Sequence, residues 1–189
     1  MKKRIFLRNI KDSGLKDLVQ RYTFDSYKAD TQENKIIKDK ALKFVDDDAQ
    51  CFVIMGKSGS GKTHICTAIT YRLVEKDKKA RYFLWRTDAT LLKSLINSGE
   101  RYQEEVKRLR DVDVLYIDDL FKGNISDADI NLAFTLINDR YNSAGKKTII
   151  STELTINDLV KVDEAIAGRI VEMAKDYVVK APNKNWRME

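Results

Sequence analysis

The eight residues from Gly56 to Thr63, GKSGSGKT, constrain this chain more than any other stretch. They fit the pattern G-x-x-x-x-G-K-[ST], and the context is right, with an apolar run at 51–55 before them and a helical pattern after them. Glycines at 56, 59 and 61 let the backbone curl so that its N–H groups point inward, where phosphate oxygens are bound. The helix that follows adds its positive N-terminal end to the same oxygens. Gly56, Lys57, Ser58, Gly59, Ser60, Gly61, Lys62 and Thr63 are therefore candidate nucleotide-binding residues. Lys62 is expected to reach the β and γ phosphates, and Thr63 to ligate Mg²⁺ through its hydroxyl. His64 adjoins the set, although a lone histidine on a helix more often packs than reacts. Chance matches to this pattern arise at roughly the 1% level in a chain of this length.

A second stretch answers the first. Residues 114–120 read VLYIDDL, a buried apolar strand with two carboxylates where it is expected to end. Parallel strands deliver such groups to the ligand at their carboxyl ends. Asp118 is expected to hold Mg²⁺, and Asp119 to orient or deprotonate the attacking water. A hydrophobic run followed by two aspartates is common by itself; the glycine loop upstream is what gives it weight. The guanine-reading signature N-K-x-D is missing at both Asn34-Lys35 and Asn183-Lys184, so ATP is the expected nucleotide.

Around these stretches the apolar periodicity alternates. Helices are predicted over 31–45, 62–75, 87–96, 101–109, 127–141, 156–160 and 164–174. Strands are predicted at 51–55, 80–84, 112–117, 148–151 and 177–180. Alternation of this kind implies a parallel sheet covered on both faces, an α/β three-layer α/β/α sandwich with five parallel strands. The chain carries one proline, Pro182, so the helices can run unbroken. No apolar stretch is long enough to cross a bilayer, and MKKRIFLRN has no apolar core behind its basic start. Two cysteines, Cys51 and Cys66, are expected to be buried thiols of a cytoplasmic protein. With a single histidine beside them, a structural metal is not expected. The net charge of +6 permits a polyanionic partner without requiring one.

The pieces GKSGSGKTH, VDVLYIDDLF, TIISTELT and AGRIVEMA, in that order, resemble the ATPase domain of bacterial or phage replicative helicase loaders of the DnaC/DnaI type. These are AAA+ proteins of the ASCE group of P-loop NTPases, related to the initiator DnaA and to transposition helpers of the IstB type. YTFDSYKAD, residues 22–30, is similar to the stretch that precedes the core in the loaders. The resemblance implies an N-terminal extension over 1–30 and an AAA+ domain over 31–189. It implies hydrolysis of ATP to ADP and phosphate, promoted by oligomerisation, with a replicative DNA helicase and single-stranded DNA as partners in DNA replication.

Residue roles follow the same resemblance. Thr152-Glu153 stands where the family places a polar sensor. Glu153 departs from the asparagine often found there, and a carboxylate cannot donate to a γ-phosphate, so the sensing falls to Thr152 or Ser151. Arg169 matches an arginine finger that enters a neighbouring protomer's ATP site, which implies self-association. Asn185-Trp186-Arg187 resembles a terminal motif in which Arg187 approaches nucleotide. The interval 86–110 matches an inserted helical element lining a DNA path. It holds Arg86, Lys93, Arg101, Lys107, Arg108 and Arg110, interleaved with Glu100, Glu104 and Glu105 as on any solvated helix. Other readings stay open: a transposase-assisting ATPase with the same core, a small-molecule kinase, and an interaction module that binds nucleotide without turnover. A kinase needs an acceptor pocket and usually a lid with several arginines close in sequence, and this sequence shows neither.

Overall fold

The computed structural model describes residues 2–186 and 188, with side chains from Arg8 onward; Arg187 lies outside the described residues. Five strands, β1 (Cys51–Met55), β2 (Ala80–Leu84), β3 (Val114–Leu120), β4 (Lys147–Thr152) and β5 (Val178–Lys180), form one sheet. Every ladder is parallel, and the spatial order is β2-β3-β4-β1-β5. Parallel pairing needs a crossover between strands, so both sheet faces are covered and the inner strands are apolar throughout. β1 shows this: Phe52 and Ile54 enter one core, Cys51 and Val53 the other, and all four are buried.

On the first face lie α1 (Lys2–Ser13), α2 (Lys16–Val19), α3 (Gln32–Asp46) and α4 (Lys62–Glu75). The second carries α5 (Thr90–Ser94), α6 (Glu100–Asp111), α7 (Asp127–Tyr141), α8 (Ile156–Val162) and α9 (Glu164–Ala174). Capping side chains start several of them. Thr31 accepts the Asn34 N–H ahead of α3, and Ser126–Asp129 and Thr155–Asp158 form capping boxes ahead of α7 and α8. Along α3, Ile37, Ala41, Phe44 and Val45 recur at helical spacing and face the sheet. Ile10, Leu15, Phe24 and Tyr27 are buried in the same core cluster as Phe44 and Ile65. No helix among the described residues is long and apolar enough to cross a membrane.

Two predicted elements are drawn differently by the structure. The helix expected over 87–96 is a wide π-type turn, Trp85–Ala89, then α5, then a 3-10 turn, Ile96–Ser98. Trp85 is buried against Phe83 and Phe121, and Asp88 Oδ2 accepts the Leu84 N–H at 2.7 Å, so the chain must swing wide as it leaves β2. The strand expected at 112–117 starts at Val114 and runs through both acids to Leu120. Its register against β4 slips between Ile117 and Leu120, a bulge at which Asp119 takes φ 57°. Aspartate tolerates that left-handed backbone better than most residues.

At the opposite end of the sheet Arg140 is fully buried. Its guanidinium donates to the carbonyls of Arg110, Val112, Asp113 and Lys147 at 2.6–3.2 Å and to the Thr148 hydroxyl at 3.1 Å. Burial pulls its pKa down to about 10, which still leaves it charged at neutral pH. One side chain on α7 thus ties the end of α6 to the starts of β3 and β4. Arg140→Met keeps much of the bulk but removes five hydrogen bonds at once, the Arg110 and Asp113 carbonyls keeping only their bonds from Lys146 and the Lys147 N–H, and we expect it to cost about 3 kcal/mol. Urea unfolding measures this, and an unchanged midpoint would refute the account.

Candidate functional site

Between β1 and α4 the backbone curls as the glycine pattern requires. Gly59 and Gly61 hold φ of 78° and 89°, and the loop is anchored by the Gly56 N–H on the Thr152 carbonyl at 3.1 Å. Gly59 must also be small. A Cβ there would stand 1.9 Å from Asn185 Oδ1, because the C-terminal segment crosses the loop and Trp186 donates its N–H to the Gly59 carbonyl at 3.0 Å. Lys62 is nearly buried and folds back so that Nζ donates to the Lys57 carbonyl at 3.0 Å. Burial draws its pKa down, while Asp119 and Glu153 oppose the shift.

Thr63 and Asp118 meet across the gap between α4 and β3. The Thr63 hydroxyl lies 3.3 and 3.4 Å from the two Asp118 carboxylate oxygens. Tyr82 from β2 and Ser151 from β4 donate to the same carboxylate at 2.9 and 2.5 Å and fix its plane. The Ser151 oxygen also accepts the Asp119 N–H at 2.8 Å, which holds the bulge. A hydroxyl beside one carboxylate is a hard, oxygen-only donor pair. It fits Mg²⁺, an ion that keeps most of its waters and takes one or two protein oxygens plus phosphate.

A cavity of about 210 Å³ lies beside Thr63, bordered by Ser58, Gly59, Gly61, Lys62, Thr63 and His64, with Asp119, Lys122, Tyr22 and Trp186 completing it; Asp118 is buried behind Thr63 and does not border it. Beside it a second cavity, about 240 Å³, is bordered by Ser26, Tyr27, Lys28, Asn34, Gly61, His64 and Trp186. A larger groove along β2 touches none of the glycine-loop residues. Lys122, Tyr22 and Trp186, which border the cavity, and Tyr82, which holds Asp118, were not among the residues expected there from sequence. Lys122 had one signal, its place three residues after Asp119. Tyr22 and Trp186 come from opposite ends of the chain, and their only signal was their place in the stretches YTFDSYKAD and Asn185-Trp186-Arg187, of which Arg187 alone was expected near nucleotide.

Other expected residues lie elsewhere. Thr152 is buried and does not border the cavity; its hydroxyl donates to the Leu120 carbonyl at 2.9 Å, which the β3 bulge leaves beside it. Arg169, on α9, does not border it either. Its guanidinium lies over Phe134 and Tyr141 and donates to Asn138 Oδ1 at 3.1 Å and to the Ala165 carbonyl at 3.0 Å. In the 86–110 interval Lys93 turns inward onto Asp129 at 2.5 Å, Arg108 pairs with Glu105, and Arg110 with Asp111. Among the described residues Arg86, Arg101 and Lys107 form no ion pair and are exposed.

A glycine loop after β1, an acidic β3 and a strand inserted between them define a P-loop NTPase of AAA+ architecture. The chain belongs to the family of IstB-like ATP binding proteins, whose pattern matches residues 2–184. Over 132 residues it is 37% identical to the phage-like element PBSX protein XkdC of Bacillus subtilis (strain 168), covering 67% of this chain and 48% of that protein. Over 159 residues it is 25% identical to the replicative helicase loader DnaC of Escherichia coli (strain K12), covering 82% of this chain and 64% of DnaC. The chain therefore spans about half to two thirds of these relatives. The crystal structure of DnaI superposes with a TM-score of 0.71 at 18% identity, over 89% of this chain and 92% of that one. The initiator DnaA bound to AMPPCP and single-stranded DNA gives 0.73 at 18%, over 87% and 51%.

His64 links the loop helix to the N-terminal segment. Its Nε2 lies 2.9 Å from the Thr23 carbonyl and 3.1 Å from Ser26 Oγ, so the hydrogen is assigned to Nε2. The ring packs on Tyr22 and Tyr27, and burial lowers its pKa. The folded chain therefore binds a proton less readily than the unfolded one. His64 contributes stability above its ordinary pKa of about 6.5, and that contribution is lost as pH falls below it. Urea midpoints between about pH 7.5 and 5.5 should drop more for the wild type than for His64→Gln. Parallel curves would show that His64 is not the group responsible.

Proposed function

We propose that this chain is an ATPase of the helicase-loader type, which binds ATP with Mg²⁺ at the glycine loop, hydrolyses it, and acts with a replicative helicase on single-stranded DNA. The observation that carries the enzymatic part is that Lys62, Thr63 and Asp119 border one cavity while Asp118, buried behind it, lies within hydrogen-bond reach of the Thr63 hydroxyl. The loop amides and Lys62 bind the β and γ phosphates, Lys62 leaving the Lys57 carbonyl to do so. Thr63 and Asp118 would hold Mg²⁺, which neutralises charge on the phosphates when bound. Asp119 orients the attacking water and takes its proton as the new P–O bond forms and the bond to the β-phosphate bridge breaks. Thr152 acts at one remove, by holding the end of β3, and His64 by holding the wall beside the loop. The second cavity, with Tyr27 and Asn34, suits the base.

The helicase part is supported by the likeness to DnaC over most of this chain. In the same reading residues 31–189 form the ATPase unit and 1–30 an extension packed on it, and its work is cytoplasmic. Arg169 serves a neighbouring protomer's ATP, so assembly raises turnover. Single-stranded DNA follows Arg86, Arg101 and Lys107. A transposase-assisting ATPase is the second reading, favoured by the family pattern itself.

Lys62→Ala is expected to weaken ATP binding severely. Asp119→Asn should leave affinity near normal and lower turnover by about 10²-fold or more. Nucleotide titration and steady-state hydrolysis separate the two effects, and undiminished turnover in Asp119→Asn would reassign the base. Mixing Arg169→Ala with Asp119→Asn should restore part of the activity, since some interfaces then pair an intact site with an intact arginine; a mixture that assembles but stays inactive removes the trans role.

For DNA, binding to an unstructured single strand should fall steeply with salt and show little sequence preference. Arg101→Glu with Lys107→Glu should lower that affinity without touching ATP binding, whereas Lys93→Glu should act mainly on stability through Asp129. A flat salt dependence would rule this path out. Capture from the source cell, with helicase or transposase retained, decides between the two readings.

A further inference from the structure

Glu153 stands directly after β4, where the resemblance to helicase loaders places a polar sensor of the terminal phosphate, and an ionised carboxylate has no donor. A cation from another turn stands at the same place. Lys122, just past β3, sets its ammonium 2.9 Å from Glu153 Oε1 and 3.0 Å from Asp119 Oδ2. Its side chain is 30% exposed, and it borders the phosphate cavity together with Lys62. The turn that carries it is well fixed: its N–H bonds to the Asp119 carbonyl at 3.0 Å, and Phe121 beside it is buried at φ 60°. Burial works against the charge of Lys122, but the hydrogen bonds and charges of Glu153 and Asp119 outweigh it and hold its pKa above the ordinary value. An ammonium has three donors, and two are engaged. The third is left for the cavity.

We propose that Lys122, tethered by Glu153, reads the γ-phosphate in this site and masks Asp119 until a triphosphate arrives. With ADP, the ammonium stays on Asp119 Oδ2 and the carboxylate is occupied. With ATP, the terminal phosphoryl oxygens offer a stronger anionic partner, and the ammonium shifts toward them while Glu153 keeps it in place. Asp119 Oδ2 is then released toward the water. The chemistry is unchanged: the water oxygen bonds to the γ phosphorus, the bridge to the β-phosphate breaks, and the proton passes through Asp119 to the phosphate product. The acidic residue at the sensor position thereby has a role, since Glu153 supplies no donor itself but positions one. This inference rests on the ATPase reading above.

The test uses the full chain with Mg²⁺ and, in turn, ADP and a non-hydrolysable ATP analogue, titrated by calorimetry, with steady-state hydrolysis alongside. Lys122→Met should lose roughly 10- to 100-fold in affinity for the triphosphate, the worth of one charge-assisted hydrogen bond, with ADP affinity nearly unchanged and turnover reduced. Lys122→Arg should recover part of the triphosphate preference, and Glu153→Gln should lower that preference by loosening the tether. Equal losses for both nucleotides would mark Lys122 as structural and overturn the proposal, and so would a Lys122→Met chain with wild-type preference. A wild-type chain that binds neither nucleotide overturns the ATPase reading itself, and is seen before any variant is made.

Discussion

One hydroxyl joins the two acids on which this site depends. Ser151 donates to the Asp118 carboxylate and accepts the N–H of Asp119, so it fixes an acceptor and a backbone bulge at once. Without the bulge, consecutive residues of β3 would point to opposite faces of the sheet, and one aspartate would be carried away from the glycine loop. The left-handed φ of Asp119 turns the second acid back toward the loop. β4 makes this possible because it lies between β1 and β3. The inserted strand is therefore part of the site as well as of the sheet.

The fold was legible because its signals are local and repeated. Apolar runs bounded by helices at 51–55, 80–84 and 148–151 can be satisfied only by a covered parallel sheet, and the structure has one. The glycine loop was legible for a similar reason, since backbone curvature demands glycine at set places. The bulge at Asp119 was hidden: no residue pattern in VLYIDDL announces a register slip, which depends on Ser151 thirty-two residues later. The wide turn at Trp85–Ala89 was hidden too, because it comes from packing of Trp85 on Phe121 rather than from helix propensity.

Charge told less than geometry. The basic residues of 86–110 look alike in sequence, yet Lys93 is drawn inward by the capping aspartate of α7 while Arg101 stays in solvent. Lys122 shows the converse, an unremarked lysine brought between two acids by a turn of three residues. In both cases pairing depends on which carboxylate the fold sets within reach, and composition cannot supply that.

The position of β1 bears on the order in which this chain can mature during synthesis. β1 is flanked by β4 and β5, both of which leave the ribosome long after it, and Trp186 closes on Gly59 later still. A nascent chain stalled before residue 147 would carry the entire glycine loop on a strand with neither neighbour, its edges open to wrong pairing. The loop is made early but its surroundings are made last. The groups that surround the loop thus come together only once the last strand and the C-terminal segment are in place.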